Sequence, residues 1–424
     1  MITQVSAKNC FIFAEEMIFS LVADMRTKRL SSNVYTEQNV NVLKTAGIYG
    51  PNNVGKTCLL RCIKSIRNTL LNENPELSAN FFTDNDLCEL GISFLEDGKE
   101  YSYQIKYDAS KREYLYEKLA LIEKDSYKNE KETTLFLRDN IEKKYECDDN
   151  DLKNLLPHLS KNDILIYLID SDEFTFVHEA KKLLVSFASR IDIVDMNNIP
   201  MDKTLKIMKN ENQLHDKVVN FVKNADIYLE NFTYLDNVNV EVVFDGKPAE
   251  EVLEDDFKEK FNEWIRLFSV YKGHPVPSII FDSTGTKKIA ALASYIIEAL
   301  EQDRILIIDE LDSSLHFKLT RAIVAMFNNE LNTKAQMIFT VHDISLLDCK
   351  KLFRKEQVWF VDKDDDNVYV YSLADFTAED GIRDTTDVFE KYRKGMLGAI
   401  PDPEFINTLL SIKGNTVGGK LNEK

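Results

Sequence analysis

Four short stretches carry residue types that chemistry needs. "GPNNVGKT" at 50–57 sets two glycines, a lysine and a threonine in the spacing G-x-x-x-x-G-K-[ST]. Backbone N–H groups in such a loop turn toward phosphate oxygens, and the helix that follows adds its positive N-terminal end. Gly50 and Gly55 permit conformations and close approach that a Cβ would block. Lys56 would reach the β- and γ-phosphates, and the Thr57 hydroxyl would ligate Mg²⁺. The plain alternative is a glycine-rich turn. In "RILIIDELDSSLH" (304–316), Ile305 to Ile308 predict a buried strand that delivers Asp309 and Glu310 to its C-terminal end, where ligands of open α/β sheets collect. Asp309 can hold a Mg²⁺ hydration shell and Glu310 can position or polarise an attacking water, although such acidic pairs also serve structure.

"FDSTGTKKIAALASYIIEAL" (281–300) leads Ser283, Gly285 and Thr286 into a helix with apolar residues at 289, 292, 293, 296, 297 and 300. A hydroxyl and free N–H groups at that helix start form an anion site, or simply a cap. His342 closes the strand of "FTVHD", placed either to bond a γ-phosphate or water, or to serve as a core or cap residue.

The elements that must position these groups alternate strand and helix. "NVLKTAGIYG" runs into the glycine loop and "CLLRCIKSIRNTLL" repeats apolar residues at helical spacing. "RILIIDE" and "MIFTVH" read as buried strands, each preceded by a helical segment, which predicts an α/β fold with a mostly parallel sheet covered on both faces. "NCFIFAEEMIFSLVA" reads as edge strands, and 88–122 alternates around "EDGK" as an antiparallel hairpin or meander. Residues 125–155, rich in Lys, Glu, Asp and Asn, are expected to be a solvated connection; 160–236 reads as helical, broken at "NNIPMD"; 237–244 returns to strand; the last dozen residues are expected to fray. The division expected is an N-terminal lobe over 1–155, a helical insertion over 156–236 and a C-terminal lobe over 237–424.

The 424 residues are 44% hydrophobic and 29% charged, a globular profile with no apolar run of membrane length and no signal segment, so a cytoplasmic protein is expected. The net charge of −18 argues against broad non-specific DNA binding, though "KKLFRK" and Arg61, Lys64 and Arg67 are local basic clusters. The six cysteines are scattered, and Cys58 and Cys62 are expected to face a core on one helix. The acidic "VDKDDDN" reads as a hairpin turn between "EQVWF" and "VYVYSL", not as a nuclease site.

Taken in order, these stretches resemble the ABC-type ATPase head shared by transporters, SMC proteins and RecF-like repair ATPases. "GPNNVGKT" resembles its Walker A motif, "STGTKK" its signature loop, "ILIIDE" Walker B, "LDSSLH" the D-loop, and His342 the switch histidine. With "FTVHDISLLD", "LFRKEQVWFVDKD" and "GAIPD", the chain looks most like bacterial anti-phage, abortive-infection ATPases, similar to the ATPase subunits of the PARIS and Septu systems. Asp282 stands where the pattern more often has Glu, and no Q-loop glutamine is placed, Gln104 lying mid-strand.

The resemblance implies ATP and Mg²⁺ as cofactors. ATP would be held by Gly50, Pro51, Asn52, Asn53, Val54, Gly55, Lys56, Thr57 and Cys58, and from a second copy by Ser283, Gly285, Thr286 and Asp312. Thr57 and Asp309 would hold the metal; Glu310, His342 and Lys56 would be catalytic. It also implies an antiparallel β subdomain, a homodimer or higher homo-oligomer, and control of a separate effector protein, nuclease or toxin. The alternatives are a RecF/SMC-like ATPase that clamps DNA and a transporter subunit.

Overall fold

The computed structural model describes the chain except residues 125–129, 171–172, 211–212, 226–227, 237, 239–242, 245–246, 249–254, 365–366, 384–385, 402–404 and 419–424. Its apolar runs build a six-stranded sheet in the order Ile191–Asp195, Ile305–Asp309, Gln336–Thr340, Thr45–Tyr49, Val358–Lys363, Val368–Ser372. The first five strands are parallel and the last is antiparallel. Alternate residues of one strand enter two different cores, as both-face burial demands. Ile305 and Ile307 meet Leu59, Ile63 and Ile66 of helix Lys56–Leu70, while Leu306 and Ile308 share a core with Leu292 and Ile296 of helix Thr284–Glu301 and with Ile323 and Phe327 of helix Phe317–Phe327.

A seven-stranded antiparallel sheet contributes to the first of these cores, in the order Lys144–Cys147, Glu130–Asp139, Glu113–Lys124, Lys99–Asp108, Leu87–Glu96, Ile2–Lys8, Met17–Ser20. The meander expected over 88–122 is present. Its "EDGK" turn has both central residues at positive φ, Asp97 at 47° and Gly98 at 76°, which matches the right-handed twist of a tight hairpin. In the middle of this sheet Glu117 and Arg138, both fully buried, pair at 3.0 Å. Tyr103 and the Leu165 N–H donate to Glu117, and Arg138 donates to the Ser160 and Asp163 carbonyls.

Three expectations need correction. The stretch read as a solvated connection supplies strands Glu130–Asp139 and Lys144–Cys147. Its charges are cross-strand pairs, Lys118–Glu132 and Lys124–Glu130, so polarity marks a sheet face and not a loop. The helical stretch 160–236 contains Ile191–Asp195, which pairs with the Ile305–Asp309 strand; two aspartates in five residues hide its strand character. Of the last dozen residues, expected to fray, 413–418 continue helix Phe405–Gly418, and 419–424 lie outside the described residues. The hairpin around "VDKDDDN" is formed by Val358–Lys363 and Val368–Ser372, while 365–366 lie outside the described residues, as do most of 237–244 and Asp402. Among the described residues no helix is long and apolar enough to cross a membrane.

Candidate active site

The glycine loop leaves the C-terminal end of strand Thr45–Tyr49. Gly50 sits at φ 147°, and a Cβ there would lie 2.2 Å from the Val361 carbonyl oxygen, so the neighbouring strand excludes any side chain. Pro51, Asn52 and Asn53 form the outer arc, Asn53 at φ 61°, while Val54 is buried beneath it. Gly55 caps the helix that begins at Lys56. Lys56 is 6% exposed and its ammonium donates to the Gly50 and Pro51 carbonyls, both at 2.7 Å. Burial pulls its pKa down, and Asp309, Glu310 and Asp312 push it back up. Cys58 packs partly against the core and Cys62 is within it, as their spacing predicts.

Strand Gln336–Thr340 lies between the loop's strand and the acidic strand, and its last residue joins them. Thr340 Oγ1 donates to Asp309 Oδ1 at 2.5 Å and accepts from the Glu310 N–H at 2.7 Å. Thr57 Oγ1 donates to Asp309 Oδ2 at 2.8 Å. The loop and the acidic pair, 252 residues apart in sequence, therefore share one point. Glu310 occupies the left-handed region at φ 57°, a backbone cost that clusters at functional sites. Its Oε2 accepts from Asn197 Nδ2 at 2.8 Å, and its Oε1 lies 3.9 Å from His342 Nε2. Asp312 Oδ2 accepts from the N–H groups of His342 and Asp343, at 3.0 and 2.6 Å, and so fixes the backbone that carries the histidine. Its other oxygen is buried without a partner.

Ser283 caps helix Thr284–Glu301 by accepting from the Thr286 N–H at 3.1 Å. A Cβ on Gly285 would meet the Ser314 carbonyl at 2.9 Å, and Lys288 donates to Ser313 Oγ at 3.0 Å. The structure thus joins Ser283, Gly285 and Thr286 to the 312–314 segment. The Asp282 that departs from the usual pattern is buried and accepts from Ser269 (2.6 Å), Tyr271 (2.9 Å) and Ser278. Ser269 and Tyr271 belong to a small sheet of Asn231–Tyr234, Leu267–Tyr271 and His274–Pro277, so the acid ties the helix start to that sheet.

Sequence reasoning missed Thr340, Asn197 and Lys288. A hydroxyl ending an apolar strand two residues before His342 was a usable signal for Thr340. Asn197 lies in a stretch legible only as a helix stop.

Residues 46–348 match the family described as "AAA domain, putative AbiEii toxin, Type IV TA system". The chain belongs to this family. The site just described falls within the matched residues of this AAA-domain ATPase family. No protein with a curated description matches the chain in sequence. Among solved structures, it is similar to an SMC head domain from Thermotoga maritima, at 10% identity over 88% of this chain and 98% of that one, with a TM-score of 0.40. It is also similar to an SMC head bound to the C-winged helix domain of ScpA, at 13% identity over 90% and 99% of the two chains, with a TM-score of 0.45.

Proposed function

We propose that this chain is an ATPase that hydrolyses ATP between two copies of itself and acts as the sensor or scaffold of an anti-phage, abortive-infection system, controlling a separate effector protein. The observation that carries the catalytic half is the hydrogen bond from Thr57 to Asp309, with Glu310 positioned on the same hydroxyl of Thr340. A phosphate-loop hydroxyl against a strand-end carboxylate suits a cation that completes its shell with phosphate oxygens and water. The loop backbone, turned by Gly50 at φ 147° and Gly55 at φ 111° into the start of a helix, suits a phosphate. Thr57 and Asp309 would hold Mg²⁺, which supplies charge neutralisation of the phosphates when bound.

The residues then divide the work. Backbone N–H groups of 50–57 and the Lys56 ammonium orient the phosphates, exchanging the Lys56 contacts to loop carbonyls for phosphate oxygens. Glu310, held by Asn197, accepts the proton of the attacking water, and His342 borders the same space. Ser283, Gly285 and Thr286 present a helix start to the nucleotide of a second copy, with Asp312 beside that contact. The defence role is supported by the abortive-infection toxin named in the family's description.

The test is light scattering with Mg-ATP alongside phosphate release for wild type, Glu310→Gln and Lys56→Ala. The reading expects Glu310→Gln to stop turnover while keeping a dimer or larger assembly, and Lys56→Ala to weaken that assembly. Size and turnover indifferent to both changes would overturn it. Strong stimulation of turnover by DNA would favour a DNA-clamping role over effector control.

A further inference from the structure

Behind Asn197 lies a second cavity of about 290 Å³, separate from the glycine loop. Its lining includes the apolar Met201, Trp264 and Leu267 and the polar Asn197, Lys287 and Lys288. Lys288 is satisfied by neutral oxygens of Ser313 and Ser314, and Lys287 has no carboxylate partner among the described residues. Half-buried ammonium groups beside apolar side chains favour an occupant that brings negative charge on an apolar body.

We propose that this cavity is a binding site for a small amphiphilic anion, an aromatic or branched aliphatic body ending in a carboxylate, phosphate or sulfonate. The volume is at the small end for ligand sites, which limits the body to one or two rings. The site is coupled to chemistry through a single side chain. Asn197 lines the cavity, donates to Glu310 and accepts from Ser313 Oγ at 3.1 Å, so an occupant that moves Asn197 disturbs both the water-activating carboxylate and the 312–314 segment. This coupling rests on the ATPase reading; the binding does not.

The chain has two tryptophans, and Trp359 is buried with its indole N–H bonded to the Glu356 carbonyl, so a Trp359→Phe background leaves Trp264 as the reporter. The probe is 5-dimethylaminonaphthalene-1-sulfonate, with the uncharged 5-dimethylaminonaphthalene-1-sulfonamide as its control, read by energy transfer from Trp264. Transfer should saturate at one sulfonate per chain, and Lys287→Met and Lys287→Glu should each weaken it about tenfold or more. The uncharged analogue should bind more weakly and ignore both changes. Equal binding of the two probes, or sulfonate binding indifferent to Lys287, overturns the site. At a probe concentration that saturates wild type, ATP turnover should change about threefold or more in wild type and much less in Lys287→Glu, which holds the probe weakly. Binding without that change overturns the coupling alone, and absence of turnover before any probe is added counts against the ATPase reading alone.

Discussion

The six-stranded sheet gathers its candidate site residues at the C-terminal ends of its strands, whereas the seven-stranded sheet seals an ion pair between two of its strands. In the first, Ile305 to Ile308 and Thr45 to Tyr49 are buried along their length, and Asp309, Glu310, Thr340 and His342 emerge only where the strands end. In the second, Glu117 and Arg138 are fully buried and every oxygen of the carboxylate is occupied. Both regions hold carboxylates by hydrogen bonds. The difference is access: Asp309, Glu310 and His342 reach solvent at the strand ends, while Glu117 and Arg138 are sealed inside the meander.

Substitutions can break that comparison. The largest effect expected is on turnover: Glu310→Gln should lower kcat by roughly 10²–10⁴ while leaving thermal unfolding close to wild type. A loss of stability comparable to that of a core mutation would show that the strand-end site is structural after all. Arg138→Leu should do the reverse, destabilising the fold by about 3–5 kcal/mol in denaturant titration because Glu117 is left charged and buried without its partner, while the folded fraction keeps normal turnover per molecule. Burial raises the Glu117 pKa against the opposing pull of Arg138, so Glu117→Gln in the same background should recover part of that loss.

Between these extremes stands Thr340→Val. It removes the hydroxyl from both Asp309 and the Glu310 N–H, and should cost about 1–3 kcal/mol of stability together with a fall in turnover, a mixed signature absent from the other two. The smallest effect is at the outer end of the meander. The Lys111 ammonium and backbone N–H hold the Asp108 carboxyl down to about 2, from an ordinary 3.8. Stability from that depressed pKa is present above 3.8 and fades as pH falls toward 2. The gap in urea midpoint between wild type and Asp108→Asn should therefore be widest near neutral pH and close on acidification.

What could be read from residues alone follows from the same contrast. Uninterrupted apolar runs and the glycine-lysine spacing are local patterns, so most of the parallel strands, the course of the glycine loop from strand to helix and the "EDGK" hairpin were legible. Ile191–Asp195 escaped because its aspartates look like helix-end or loop residues; one of them, Asp192, is paired with Arg304, 112 residues away, and with the nearer Lys203. Glu130–Asp139 escaped because its charges answer charges on a neighbouring strand. Asn197 and Thr340 belong to no pattern, and their importance exists only once Glu310 stands next to them. Asp282 looked like a minor departure from a motif, yet three hydroxyls converge on it.

The two hydroxyls on Asp309 have a consequence for the protein at rest. Thr57 covers one carboxylate oxygen and Thr340 the other, so the acid is already capped from within before any cation arrives. On the proposed reading a cation would enter between the Thr57 hydroxyl and Asp309, replacing their hydrogen bond with a bond to each. With Thr57 and Asp309 holding a cation as proposed, stripping away divalent ions should silence the protein without unfolding it, because both carboxylate oxygens keep a hydroxyl partner.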